Sequence, residues 1–476
     1  MKWYQKLNPF RTISRRRFTA AQMSRLVADW VNSNVKTNDD IKRHLPVLVA
    51  RSRDLAKNNS EYRKFLAMKE RNVVGDTGIK LQVRAKNPDG ALDKYANSTI
   101  EHHFMRWGRK RNGWCYKGRK LSWHAIQILF IRTLAIDGEV FIRKIFGDKK
   151  NPYKFSLQFL NSTLCDINYN EKLSNGNRVV MGVELNHNEA PVAYWFKTDE
   201  SDIYAKRVRI PENEIIHHFK QEFIGQVRGF PQACAAILDI NMLGGYKEAE
   251  LIAARVTSAK MGFLIPEKGR GGRYNPDGDD GKMPINEVSP GALELLPAGY
   301  KFEKFDPQNP GANFAGFFKA IMRSIASGLG IAYNDFANDL EGVNFSSMRA
   351  GNISERDGWK LDQLDMIESF CEDVYLSWLT MFLLSGLTNL PFTKLEKYES
   401  DSWQGRRWPF VDPLKDAKFA ATMISQKLKS PQSFIMEIGG DPDEVIEDFK
   451  EWEEKLEKAK LIKIEGEKPP KTETTK

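Results

Sequence analysis

The chain has few cysteines and no long apolar run. Cys115, Cys165, Cys234 and Cys371 lie far apart and form no Cys-x-x-Cys pair. Such spacing speaks against a zinc knuckle and a disulfide framework, and it fits a reducing compartment. The most apolar stretch, "WLTMFLLSGL", is shorter than the roughly eighteen residues a membrane span needs and is broken at a glycine. The chain therefore reads as soluble, with no membrane partner. No Gly-Lys-Ser/Thr completes a phosphate-binding loop, and no Gly-x-Ser-x-Gly elbow occurs. Carboxylates are scattered without a paired spacing, so nothing supports an enzyme, and no cofactor is expected. A last absence is local: Met1 to Ala28 contains no Asp or Glu but seven Lys/Arg, among them Arg15, Arg16 and Arg17. The stretch lacks the apolar core of a secretory signal, and the next segment continues as amphipathic helix. It reads as a basic arm rather than a targeting peptide.

What is there describes a large, mixed protein. The 476 residues exceed one ordinary core and predict two to four units. Lys and Arg outnumber Asp and Glu by 72 to 62, a net charge of +10, which favours contact with a polyanion but is also common among proteins that touch none. "AAQMSRLVADWV" places Met23, Leu26, Val27 and Trp30 at helical spacing, and a second helix runs through residues 47–74 to stop at Gly75. "GIKLQVRA" alternates as a strand. A helix from Ser122 breaks at Asp137-Gly138, "EVFIRKIF" follows as a strand, and residues 153–219 read as short strands with a hairpin in "NGNRVVMGVELNHNEAPVAYWF". From Pro231 a long helical stretch runs to residue 260, with a kink expected at Gly244-Gly245. Between Pro266 and Gly311, 15 of 46 residues are Gly or Pro. There, "KGRGGRYNPDGDDGK" reads as a mobile loop and "ALELLPAGYKFEKF" as a pair of strands. Helix resumes at "NFAGFFKAIMRSIASGLG". After a loop, a long helix reaches about Leu384 with Leu361, Leu364, Cys371, Tyr375, Trp378 and Phe382 on one stripe. Asp441-Pro442-Asp443-Glu444 is a helix start, and the last dozen residues read as disordered. The fold class is α+β, mostly helical.

Three constellations invite a chemical reading. His217 and His218 adjoin an Arg-Gly-Phe-Pro turn, but neighbours in a strand point to opposite faces and cannot easily share a metal. One packed and one solvated ring is expected there, and the same holds for His102-His103. "DGDDG" at 277–281 imitates a calcium loop, yet the fifth position is Gly281 and the twelfth is Val288, so no metal is expected. "RWGRKRNGWCYKGRK", residues 106–120, holds seven Lys/Arg, no acid, and interleaved Trp107, Trp114 and Tyr116. It reads either as a phosphate-contacting, base-stacking segment or as a solvated loop with its aromatics in the core.

The order of segments resembles a known family, the lambda-type portal proteins of tailed bacteriophages. The resemblance is carried by "ARSRDLAKNN", "RNVVGDTGIKLQ", "AIDGEVFIR", "MGVELNHNEAPVAYW" and "IIHHFKQEFIGQVRGFP". It continues in "YKEAELIAARVTSAKMGFLI", "PGALELLPAGYKFEKFDPQNP", "IASGLGIAYNDFANDLEGVNFSSMRA", "WQGRRWPFVDPLKDAKFAA" and "SPQSFIMEIGGDPDEV". It covers roughly residues 45–450. One departure is "CYKGRK", where an acidic residue is expected after Cys115.

The resemblance implies a self-assembled ring, usually a dodecamer, at one capsid vertex, with double-stranded DNA packaged and ejected through its axis. It implies a virion location, with the host cytoplasm during assembly. Implied partners are the large terminase subunit, a head-completion or adaptor protein, and the major capsid and scaffold proteins. Mapped onto this chain, residues 1–44 are a basic arm and helix, 45–230 a wing, 231–259 a first stem helix and 260–312 a clip. Residues 313–330 are a second stem helix, 331–347 a tunnel loop, 348–409 a long helix and wing return, 410–462 a helical crown and 463–476 a tail. The channel would be lined by Lys319, Arg323, Glu341, Asn344, Phe345, Ser346 and Ser347. The clip would meet the motor through Lys268, Arg270, Arg273, Asp277, Asp279, Asp280 and Lys282. Arg15, Arg16, Arg17, Arg106, Arg109, Lys110 and Arg111 are candidates for DNA or capsid contact.

Two features of the residues agree with that mapping. A helix, an insertion and a returning helix put the insertion at the end of a rod. Residues 231–260 carry three cations against three acids, and the returning helix has only Lys319 and Arg323, on the face away from Phe317, Phe318, Ile321 and Ile325. A ring multiplies each channel cation about twelvefold, and six to ten phosphate contacts already bind tightly, so a sliding channel tolerates few. The alternatives are a nucleic-acid-processing enzyme such as a nuclease or terminase component, supported by charge alone, and a different capsid or connector protein.

Overall fold

The computed structural model describes residues 36–258 (without 200, 201, 203 and 204), 262–266, 300–304, and 314–458 (without 343, 409–412, 439 and 441). The helix expected around Met23–Trp30, Arg15, Arg16 and Arg17, the seven clip residues from Lys268 to Lys282, the calcium-like loop and the last dozen residues lie outside it.

The chain opens with α1 (Thr37–Asn58) and α2 (Ser60–Lys69), which continues as a π turn (Glu70–Val74). The single helix expected over 47–74 is thus two. Asn59 breaks it in extended conformation, and its side chain caps α2 by accepting from the Tyr62 N–H. Residue 44, the expected end of the arm, falls inside α1. Gly75, at φ 71°, ends the run. Next come β1 (Lys80–Val83), α3 (Lys94–Gly108) and α4 (Trp123–Asp137), the last capped by Ser122 and stopped at left-handed Gly138.

The sheets follow: β2 (Glu139–Phe146), β3 (Phe155–Leu160), β4 (Glu171–Lys172), β5 (Arg178–Val180), β6 (Val183–Leu185), β7 (Pro191–Lys197), β8 (Arg207–Pro211) and β9 (Ile215–Phe219). The order β3-β2-β9 forms one antiparallel sheet, and β4 to β8 form a five-stranded meander. Where one hairpin was expected, two reversals occur. The first is tight because Met181 and Gly182 both take positive φ, the geometry a two-residue hairpin loop needs.

Alternation along β2 joins two cores. Val140 and Ile142 face the main core with Phe130, Trp107 and Phe155; Phe141 points the other way, into the meander with Tyr194 and Phe196. The main core is rich in rings: Trp107 stacks on Phe155 with centroids 5.8 Å apart, and Phe104 stands edge-on to Trp378 at 5.0 Å.

Past β9 the chain becomes helical. α5 (Ile237–Ser258) runs as one helix through Gly244-Gly245. β10 (Gly262–Pro266) and β11 (Tyr300–Lys304) pair antiparallel in register Gly262↔Lys304 to Pro266↔Tyr300. Of the two strands expected in 292–305, only the second is described, and its described partner is β10. α6 (Phe314–Leu329), α7 (Tyr333–Ala337) and α8 (Phe345–Met366) follow, and α8 passes through a π turn (Ile367–Cys371) into α9 (Glu372–Leu384). After α10 (Leu395–Tyr398), β12 (Asp401–Gln404) returns to pair with β1. α11 (Pro413–Ser425), α12 (Pro431–Glu437) and α13 (Pro442–Lys458) end the described chain.

The stripe expected along α8 and α9 holds only after the π turn. Cys371, Tyr375, Trp378 and Phe382 are buried, but Leu361 is 69% and Leu364 49% exposed. A π turn inserts one residue, which rotates the upstream helix by about 100° relative to straight α-periodicity. Trp359 and Gln363 take the buried positions instead.

α5 and α6 touch the core at one end only. On α5 the core residues are Ile237, Ile240 and Leu243; on α6 they are Met322, Ile325, Ala326 and Leu329. Beyond them, toward the segment between the helices, α5 presents exposed Leu251 and Ile252, and Phe317 on α6 is 52% exposed against Tyr246. Of the apolar set Phe317, Phe318, Ile321 and Ile325, Ile325 is buried, Phe318 and Ile321 pack against the core, and Phe317 stays exposed.

Candidate functional site

The junction from α6 through α7 to α8 gathers the expected channel residues. Lys319 and Arg323 stand one turn apart on α6; Lys319 lies along the edge of the buried stripe that holds Met322 and Ala326, and Arg323 is exposed. Neither simply points into open solvent. The Lys319 Nζ lies 2.7 Å from Asp339 Oδ2, and the Arg323 guanidinium lies 5.2 Å from the centre of the Tyr333 ring. Asp339 is a hub. Besides Lys319, it accepts from the Tyr333 hydroxyl at 2.7 Å and from the Glu341 N–H at 3.0 Å. These donors, Lys319 first, hold the Asp339 carboxyl down to about 2. Burial and the Asp339 charge push the Tyr333 phenol up to about 12.

Residues 331–347, expected as a loop, are therefore largely ordered. α7 occupies Tyr333–Ala337, and left-handed Asn338, which accepts from Lys64 at 2.7 Å, closes it. Glu341 and Asn344 are exposed. Phe345, Ser346 and Ser347 belong to the first turn of α8, and their side chains lie outside the described residues. On the other side of α7, Glu355 accepts from the Ala332 N–H at 3.1 Å. Burial, together with the neighbouring Asp335 charge, pushes its carboxyl up to about 7. Asp339, Tyr333 and Glu355 were not singled out from the sequence; only the Tyr-x-Asp and Asn-Asp pairs hint at polar turn chemistry.

The histidine stretch is structural. His217 and His218 take opposite faces, as alternation requires, but the side chains of both are buried, against the expected one solvated ring. His217 stacks on Phe141 at 4.1 Å and bonds Glu139 at 3.2 Å; His218 bonds Asp365 at 3.0 Å. The Arg-Gly-Phe-Pro turn serves the same centre. Arg228, wholly buried, donates through both Nε and Nη2 to Glu139 and through Nη1 to the Met181 carbonyl at 2.8 Å. Burial alone would raise the Glu139 carboxyl, but Arg228 and His217 hold it down to about 2. Gly229 is forced: a Cβ there would lie 2.1 Å from the Gly138 carbonyl oxygen. On α3, His102 is exposed and His103 half-buried, bonding the Tyr153 hydroxyl at 3.1 Å, as expected. Among the described residues no group of three or more His, Cys, Asp or Glu could hold a metal ion. No described helix is long and apolar enough to cross a membrane.

In the basic segment the aromatics are spent on packing. Trp107 is fully buried and donates to the Phe155 carbonyl at 3.0 Å, Cys115 is buried, and Trp114 and Tyr116 pack against the core. Arg106, Arg109, Lys110, Arg111, Lys117, Arg119 and Lys120 are exposed. Of the two readings of residues 106–120, base stacking on these rings falls.

The described residues form a mostly helical α+β body in whose core α5 and α6 are each anchored at one end. Residues 23–363 match the family model described as "Phage portal protein, lambda family". The chain is 35% identical over 449 residues to a probable portal protein of Halomonas phage phiHAP-1, covering 92% of this chain and 86% of that one. It is 21% identical over 347 residues to portal protein B of Escherichia phage lambda, covering 65% and 64%. Among solved structures it is similar to a chain of the neck of an empty GTA particle computed with C6 symmetry. The TM-score there is 0.45, with 14% identity and coverage of 87% of this chain and 98% of that one. A second similarity, TM-score 0.46 and 11% identity, is to the neck of a native GTA particle computed with C12 symmetry, with coverage of 84% and 94%. The chain belongs to the lambda family of phage portal proteins. It is a structural protein, not an enzyme.

Proposed function

We propose that copies of this chain close into a ring, a dodecamer, at a capsid vertex of the virion, and that double-stranded DNA passes through it during packaging and ejection. In this reading α5 and α6 wall the channel. The segment between them, from Lys268 to Lys282, docks the large terminase subunit, and a head-completion protein and the capsid and scaffold proteins bind elsewhere on the ring. Assembly takes place in the host cytoplasm.

The observation that carries the reading is the α5–α6 rod. Each helix is anchored in the core at one end, while α5 leaves Leu238 and Met242 each 64% exposed, one turn apart, with Ile252 in line further on. Such a row on a water-soluble particle calls for a partner, and a neighbouring copy supplies one at every position of a closed ring. The channel side suits sliding. Lys319 is neutralised by Asp339, so of the two α6 cations only Arg323 meets a phosphate without first breaking an ion pair.

The test is assembly of Leu238→Asp and Met242→Asp. Both side chains are exposed in the single chain, so the subunit should fold while rings are lost. Intact rings from both variants would refute the interface.

A further inference from the structure

The structure carries a second cationic surface, remote in sequence from α5 to α8, in the connection between α3 and α4. Arg106, Arg109, Lys110, Arg111, Lys117, Arg119 and Lys120 are all exposed, and among the described residues none of them forms an ion pair. The scaffold beneath them is fixed. Asn112 Nδ2 donates to the Arg106 carbonyl at 2.7 Å, and the Lys117 N–H donates to Leu157 O at 2.9 Å. The Leu157 N–H returns to Cys115 O at 2.9 Å, and Asn151 donates to Trp114 O at 2.9 Å. Arg119 sits in the left-handed region at φ 54°, with its N–H on Tyr116 O at 2.8 Å, a conformation that a loop without tertiary support would not hold.

We infer that this surface is a preformed binding site for the phosphate backbone of duplex DNA, separate from the channel. The deciding feature is what the surface lacks. A protein partner would need apolar or aromatic anchors at the centre of the interface, where Lys is depleted. A single strand would need free rings for base stacking. Within residues 106–120 no large apolar side chain is exposed, and Met105 at their edge stands alone at 59%: Trp107 is wholly buried, Trp114 is covered by the Arg106 guanidinium at 5.7 Å, and Tyr116 is packed against Phe159 at 6.4 Å. What remains is a set of cationic heads on a rigid frame, which recognises a line of phosphates without regard to sequence. The site serves genome lying against the outside of the protein, whereas the channel serves genome passing through.

The topology of the DNA separates the two. A covalently closed circle cannot thread a closed ring, so its binding reports an outer site. Assembled full-length protein should retain closed circular plasmid with a steep salt dependence, and a single-stranded oligonucleotide should bind more weakly than a duplex of equal length. The triple variant Arg109→Ser/Lys110→Ser/Arg111→Ser changes exposed side chains only. It should bind circles at least tenfold more weakly, with a log–log salt slope shallower by about 2.7, three phosphates at roughly 0.9 each. Lys319→Ala/Arg323→Ala should leave circle binding unchanged. Binding restricted to linear DNA, or a triple variant with unaltered circle binding, overturns the inference. So does a triple variant that keeps its circles but no longer enters capsid shells, which would make the surface a protein contact. Failure of ring assembly, visible separately by microscopy, would sink the proposed ring and leave the triple-variant comparison valid.

Discussion

Glu139 begins a strand, ends up fully buried, and is met there by Arg228 from 89 residues away. The pair is costly to break from one side. Arg228→Met leaves a buried carboxylate without its partner and should cost about 3–5 kcal/mol in urea unfolding, with Glu139→Gln added to it recovering part of the loss. The pH dependence has a definite sign. The folded carboxyl titrates near 2 against 4.5 for the free group, so its stabilisation is complete above about 4.5 and is lost as pH falls toward 2. Glu355 behaves oppositely. Its folded value near 7 lies above 4.5, so the unfolded chain ionises first and stability declines as pH rises from about 4.5 through 7. Glu355→Gln should flatten that decline, and an unchanged profile would place the effect elsewhere. Neither pair was legible in the sequence. A buried Glu looks like any other strand-end Glu, and its partner is fixed by the crossing of Gly138 and Gly229, a contact between segments far apart in the chain.

Elements were read well where one periodicity governs a whole segment, as in α4, β2 and α6, with start and stop residues at Ser122 and Gly138. The failures share a cause. Asn59 and the two π turns are single-residue events that change helical phase without changing composition, so a window of apolar spacing passes over them. The segment 331–347 was read as a loop; much of it is built around one carboxylate that collects three donors. That hub yields a prediction for the α6–α7 connection. Lys319→Ala should free Asp339 and loosen α7, whereas Arg323→Ala removes a cation that rests on Tyr333. Both should reduce DNA packaging or retention more than ring formation. Asp339→Asn should resemble Lys319→Ala in exposing the α7 backbone to hydrogen exchange, and equal protection in all three proteins would remove the hub from the account.

For the whole molecule, the family was legible because many short segments occur in a fixed order along most of the chain, although no single motif is specific. Composition added little: a charge of +10 fits a nuclease as well as a portal. The structure adds the distribution. Among the described residues, paired charges mark the α6–α7 junction, cations without an ion pair crowd the α3–α4 connection, and exposed apolar side chains line α5. On the proposed reading, a chain built this way is completed by neighbouring copies in a ring. Negative-stain microscopy with native mass measurement on the purified full-length protein tests this most directly. The account predicts closed rings of about twelve copies with an axial hole wide enough for a duplex. A stable compact monomer under every assembly condition would contradict it.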